Sequence, residues 1–319
     1  MGKFVETIRK DEIKLKIEVL SPDIIHIQAG GIDGYQDSLL NKYQIINSLD
    51  INSVNLVDNI ININKTLKLK IKKDLSFEIL KNNNSLLKTT SDYVPGTFKT
   101  VYGNKGCNVK FETDKDEKFI GFGDQFRNRK TGLLLNNLAG KLWINNQTSY
   151  IPVPIFMSSK GYGIFFNTTR KLLYDFSVKE KNINSFKIEK EYMNIYIFTG
   201  ENYYDLLNKY TLLTGRTSMP PFYSLGIWLI AHGTIRHHEL LDIAYNMRQE
   251  EIPCDILGLE PGWMETIYDL TTEKKWNDEK FPYYSWAIDR KDSFINTLKQ
   301  MGYHFELWLC NDYDHTWEE

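Results

Sequence analysis

Cysteine is scarce. The chain has three, Cys107, Cys254 and Cys310, far apart and odd in number. That excludes a disulfide scaffold and a cysteine-rich metal module. Cys254 and Cys310 fall in apolar runs that read as strands, so buried reduced thiols are expected. An excess of one charge sign is also missing. The formal net charge of −2 leaves neither a basic footprint for nucleic acid nor an acidic tail. No apolar run is long enough to span a bilayer, so no membrane partner is expected. The opening Met-Gly-Lys-Phe-Val-Glu-Thr-Ile-Arg-Lys holds no signal-peptide core, and a cytoplasmic location is expected. His237 and His238 adjoin at a helix start and cannot share one face, so no metal site is read there.

Length and aromatic residues are plentiful. A chain of 319 residues allows about two domains. Hydrophobic residues make up 42% and the mean hydropathy is −0.41, as expected for a water-soluble protein with a real core. Aromatics reach 13%, with 19 Tyr, 17 Phe and 7 Trp. Half-exposed rings suit sugar sites, but large β-sandwiches bury as many, and both readings stand at this point.

From Lys14 to about Phe198 short β-type runs alternate with turn clusters. Ile13-Lys14-Leu15-Lys16-Ile17-Glu18-Val19 and Thr66-Leu67-Lys68-Leu69-Lys70-Ile71-Lys72 have period two. Such alternation marks antiparallel strands with one buried face, and many of them with frequent turns argue a β-sandwich. Phe119-Ile120-Gly121-Phe122-Gly123-Asp124-Gln125 sets two glycines among apolar residues, which predicts a bulge or a close backbone approach. The period then changes. Tyr203, Leu206, Leu207, Tyr210 and Leu213 fall at helical spacing, Gly215 stands at the cap position, and Pro220-Pro221 follows. A domain boundary near 216–221 divides the chain into 1–219 and 220–319.

The last hundred residues read as strand, helix, strand, helix, strand. The strands are Phe222 to Ile230, Cys254 to Glu260 and His304 to Cys310; the helices are Arg236 to Glu250 and Asp292 to Met301. That order opens a parallel α/β structure. An α/β barrel has eight strands, and three cannot close one. In such a barrel the C-terminal strand ends build the site. Ile256-Leu257-Gly258-Leu259-Glu260-Pro261-Gly262-Trp263-Met264 ends a strand on a carboxylate, breaks at Pro-Gly and then presents an indole. An acid followed by a Trp suits a ligand with many hydroxyls and an apolar face.

At these residues the chain resembles glycoside hydrolase family 31, the retaining α-glycosidases that include the α-glucosidases. Phe119 to Gln125 resembles the family's Tyr-Gly-x-Gly-Glu signature, with Asp124 in place of Glu. Tyr150 to Met157 with Gly161 to Phe166 resembles its Pro-Phe…Gly-Tyr-Gly-x-Phe segment. Tyr210 to Pro221 resembles the Leu-Thr-Gly-Arg…Pro-Pro entry to the barrel. Ile252-Pro253 with the Glu260 strand resembles Ile-Pro…Leu-Asp-x-Asp-Tyr-Met, and Trp276 to Pro282 resembles its x-x-Phe-Pro element. The resemblance implies a galactose-mutarotase-like antiparallel β-sandwich followed by the first three strands of a (β/α)8 barrel. It implies a carbohydrate substrate, no cofactor, and hydrolysis of a terminal non-reducing α-linked sugar.

The resemblance also implies that the nucleophile and the acid/base, both Asp, lie beyond Glu319, so no catalytic residue is assigned. Retention needs two carboxyls roughly 5–5.5 Å apart. Glu260 stands where the family has a substrate-binding Asp; its other reading is an ion pair or a loop cap. Glu is one methylene longer than Asp, and Gly262 replaces the second acid, which points to a non-glucose sugar, galacto-configured or N-acetylated. Trp263 stacks on a sugar face, walls the pocket, or packs in the core. His232 follows the first barrel strand as a ligand or as a loop histidine. Asp312 and Asp314 follow the third, facing the pocket or capping a helix. A non-catalytic carbohydrate-binding fragment or a scaffold is the alternative function.

Overall fold

Alternating side chains decide the architecture of the first two hundred residues. The structure, a computed structural model, describes residues 7–10, 13–31, 34–47, 56–97, 106–125, 133–143, 149–269, 273–284, 286 and 294–309. It divides into two compact units, Met1–Arg216 and Thr217–Glu319.

The first unit holds two large antiparallel sheets. The seven-stranded sheet runs Thr7–Lys10, Ile13–Ser21, Ile24–Gly30, Asn194–Thr199, Tyr162–Phe166, Ile155–Ser158, Phe119–Gly121. The ten-stranded sheet runs from Ala139–Leu142 through Leu172–Phe176, Ile183–Glu189, Gly106–Glu112, Asn84–Thr89, Phe77–Lys81, Leu67–Ile71 and Ile60–Asn62 to Leu56–Val57. Val94–Thr97 pairs beside Gly106–Glu112. The period-two runs commit one face of each strand to a shared core. Leu15, Ile17, Leu67, Leu69 and Ile71 are all buried in it, as expected from the alternation. At its centre Phe186 has the rings of Phe166 at 4.9 Å, Phe156 at 5.0 Å and Phe176 at 5.4 Å.

Turn chemistry sets the registers. Asn82 and Asn83, at φ +53° and +64°, close the two-residue hairpin between Phe77–Lys81 and Asn84–Thr89. Two positive φ values in succession define the hairpin turn that Asn favours. The Gly121-Phe122-Gly123 segment is the close approach anticipated from sequence. A Cβ on Gly121 would collide with the Ile155 carbonyl, and one on Gly123 with the Ile151 carbonyl. Phe122 itself is held at φ +65° while fully buried among Phe156, Tyr174 and Phe176.

The helix Tyr203–Thr214 forms where its spacing predicts. Asn202 caps it by accepting the Asp205 N–H at 3.0 Å, and Gly215 ends it at φ +94°. Leu206 and Leu213 pack on Ile24, Phe165 and Phe198, so the seven-stranded sheet is covered here on its second face too.

The second unit carries three parallel strands, Trp228–Ala231, Ile256–Leu259 and His304–Leu307, in that order. The helices His237–Gln249 and Phe294–Gln300 connect them. Leu257, Leu259, Phe305 and Leu307 meet Leu240, Ala244, Phe294 and Leu298 of the helices. Alternation then puts Trp228, Ile230, Gly258 and Glu306 on the opposite face.

Each strand is shorter than the sequence pattern predicts. Phe222–Leu225 is a 3-10 turn rather than strand. Pro221 fixes the entry at φ −62°, the Ser224 hydroxyl and N–H both donate to the Pro221 carbonyl, and Gly226 N–H donates to Tyr223. Those local bonds outcompete a ladder. Cys254 precedes the second strand as a buried thiol; Cys310 lies outside the described residues. Among the described residues no helix is long and apolar enough to cross a membrane.

Candidate functional site

The site builds from the ends of the three parallel strands. The second strand stops because Pro261 has no N–H to continue a ladder and Gly262 closes a 3-10 turn, Pro261–Trp263, capped by Glu260. The Glu260 carboxylate is thereby held at the strand end. Its Oε2 accepts the Gly233 N–H at 2.8 Å, from the turn after the first strand. Oε1 has no protein partner among the described residues.

The two turns are pressed together. A Cβ on Gly262 would collide with the Gly233 carbonyl, so no side chain fits at position 262. Lys280 reaches in from the long excursion and donates to the carbonyls of Gly233 at 2.8 Å and Gly262 at 3.1 Å.

Trp263 is 4% exposed. Its indole N–H donates to the Trp308 carbonyl at 3.0 Å, and its ring lies 4.9 Å from that of Trp276. The indole is therefore a core element that ties the second strand end to the third, with no open face for stacking. His232 is exposed; its Nδ1 lies 3.1 Å from the Thr234 hydroxyl, and Nε2 has no partner among the described residues. Glu260 and the His232 turn are thus brought together, and Trp263 sits behind them. Asp312 and Asp314 lie outside the described residues. His237 bonds to the Lys280 carbonyl at 3.1 Å, and no metal-holding cluster occurs among the described residues.

Two residues escape a reading by motif. Glu306 lies in mid-strand, and burial pushes its carboxyl above the ordinary range. Its Oε2 is buried with no partner among the described residues, in space that a glycine at 258 leaves open. Trp308, 47% exposed, follows at the same parity. The signal is in the sequence: in His304-Phe305-Glu306-Leu307-Trp308 the polar and indole positions alternate with those that face the helices.

A two-sheet sandwich running into parallel β/α units, with a carboxylate at a strand end, defines the class of barrel proteins whose sites lie at the C-terminal strand ends. Comparison with known proteins narrows the class. Residues 14–175 match the glycosyl hydrolase 31 N-terminal galactose mutarotase-like domain, and residues 217–314 match the glycosyl hydrolases family 31 TIM-barrel domain. The chain belongs to glycosyl hydrolase family 31, and it is a glycosidase-family chain by that relationship.

Alpha-xylosidase XylQ of Lactiplantibacillus pentosus is 26% identical over 251 residues, 76% of this chain and 31% of the relative. Alpha-glucosidase 2 of Bacillus thermoamyloliquefaciens is 29% identical over 216 residues, 63% of this chain and 25% of the relative. The chain thus spans about a third or less of the length of these curated relatives. In fold it is similar to a Flavobacterium johnsoniae dextranase of the family, complexed with glucose, at a TM-score of 0.76 and 22% identity. That match covers 96% of this chain and 38% of the other.

Proposed function

We propose that this chain supplies the sugar-recognising part of a retaining α-glycoside hydrolase that acts on a terminal non-reducing α-linked sugar. The observation that carries the reading is Glu260, a carboxylate at a barrel strand end with one oxygen anchored to the Gly233 N–H and the other without a protein partner among the described residues. The second oxygen accepts hydrogen bonds from a sugar hydroxyl pair. Bonds to a charged acceptor are about twice as strong as neutral ones. His232, exposed beside it, contributes a second polar contact. Trp263 serves as the wall behind the pocket, and Asp312 and Asp314, which follow the third strand in sequence, are proposed as further sugar contacts.

Hydrolysis by this route uses a carboxylate nucleophile and a second carboxyl that protonates the leaving oxygen, then activates water. Neither role is assigned to a described residue; the proposal places both on further barrel strands. The sugar is proposed to be other than glucose, galacto-configured or N-acetylated. Support comes from the longer Glu at 260 and the bare backbone at 262. A second reading follows from the relatives, several of which are named alpha-xylosidases: a pocket for xylose.

The test is Glu260→Ala in a protein carrying the whole barrel. kcat/KM should fall by at least roughly tenfold, because a transition-state contact is lost. Wild-type kinetics would remove Glu260 from recognition. Release rates from aryl α-galactoside, α-N-acetylgalactosaminide, α-xyloside and α-glucoside then decide the sugar; a clear preference for glucoside sinks the non-glucose assignment.

A further inference from the structure

Three cavities run together along the sandwich, all within residues 1–216. One is a polar recess of about 40 Å³ beside Gln28, Ser38, Asn167 and Asn194. It shares Gln36, Asp37 and Glu191 with a groove of about 870 Å³. That groove shares Trp143, Thr169 and Arg170 with a third cavity of about 370 Å³, walled by Leu40, Leu142, Pro152 and Pro154. The two larger volumes fall within the roughly 300–1,000 Å³ of small-ligand pockets.

The chemistry changes along this path. At one end Trp143, 50% exposed, stands among prolines and leucines, a flat apolar surface. In the middle Arg170, itself exposed, is held at two points. Its Nε donates to Glu191 Oε1 at 3.0 Å, and its backbone N–H donates to the Thr168 hydroxyl at 3.0 Å. The same hydroxyl donates to the other Glu191 oxygen. A guanidinium carries five N–H donors. The four on the terminal nitrogens of Arg170 have no partner among the described residues. At the far end Asn167, 1% exposed, is fixed by Ser38, Asn41 and Asn194.

Charge decides the class of ligand. Lys141, Arg170, Lys171 and Lys190 face Asp37, Glu189 and Glu191, four cations against three anions. A groove so nearly balanced gives an ionic polymer no field to follow. It does offer planar, paired donors and acceptors beside an aromatic face. A pyranose presents the complement, with vicinal hydroxyls on its edge and an apolar C–H face. We infer that this groove binds a neutral oligosaccharide, with one sugar ring stacked on Trp143 and hydroxyls of the next held by the Arg170–Glu191 pair. The inference does not depend on the role of Glu260.

Calorimetric titration of the 319-residue chain with maltotriose and with isomaltotriose tests it. Saturable binding is expected for at least one, with a Kd of ~1 mM or tighter. Trp143→Ala should weaken it at least tenfold and Arg170→Ala about fivefold. Trp143→Phe, which keeps an apolar ring, should retain most of the affinity and so separates stacking from misfolding. No saturable heat with either sugar, or equal affinity in Trp143→Ala, overturns the groove. Loss in Glu260→Ala with Trp143→Ala unaffected assigns the binding to the strand ends and equally overturns it. Tenfold tighter binding of trigalacturonate overturns the neutral ligand.

Discussion

The two units of this chain solve the burial of a sheet in different ways. In the sandwich two sheets close on one another, and Phe186 touches rings contributed by both. In the second unit, among the described residues, helices cover one face of the parallel sheet. Leu257 and Leu259 are buried against them, while Trp228, Ile230 and Trp308 on the other face are 47%, 37% and 47% exposed. Parallel sheets are found almost only with both faces covered. The difference teaches that antiparallel pairing lets a region finish its own core, whereas a parallel βα unit depends on strands that follow.

The comparison can be broken first at the sandwich. Phe186→Ala removes a ring packed among several others and should cost about 3–5 kcal/mol. The urea midpoint of a probe in residues 1–216 reads it. A loss below about 1 kcal/mol would mean that the aromatic core is not what closes the sandwich.

Acid should separate the two units. Burial alone would raise the carboxyl of Glu18, but bonds from His26 and Lys16 outweigh it and hold the group at about 2 against an ordinary 4.5. A depressed folded value stabilises above the ordinary one, so this contribution is full above about pH 4.5 and is lost as pH falls toward 2. Glu306 has the opposite sign. Its carboxyl is raised by burial, so its contribution favours folding at low pH and is lost as pH rises through the folded value. Glu306→Gln should therefore stabilise the second unit at pH 7, since a neutral amide replaces a carboxylate that burial disfavours. Hydrogen exchange at pH 7 and pH 4, read separately in each unit, checks both directions. Destabilisation by Glu306→Gln at pH 7 would reveal a cationic partner for that carboxylate.

The smallest effect is the most diagnostic. Ile230→Ser, on the exposed face, should change stability by no more than about 0.5 kcal/mol. A cost several times larger would show that the face is covered in solution.

Much of this was legible in the chain itself. Period-two runs such as Leu67-Lys68-Leu69-Lys70-Ile71 specify both strand and buried face, and helical spacing with Gly215 marks the helix and its end. Separated motifs in order identify the family. What stayed hidden is set by non-local contacts. Phe222 to Leu225 has strand-like composition, yet bonds to the Pro221 carbonyl curl it into a turn. Trp263 reads as a stacking platform, a pocket wall or core, and its burial and its bond to the Trp308 carbonyl, 45 residues away, place it inside. The partners of Glu260 and the anchoring role of Lys280 are backbone groups, which leave no mark on a side-chain pattern.

Lys280 has one further consequence. A single ammonium gathers the carbonyls of Gly233 and Gly262, where a Cβ at 262 would collide with the Gly233 carbonyl. The excursion that carries Lys280 therefore acts as a clasp on both turns, and its own Trp276 and Phe281 fasten it to the core of the second unit.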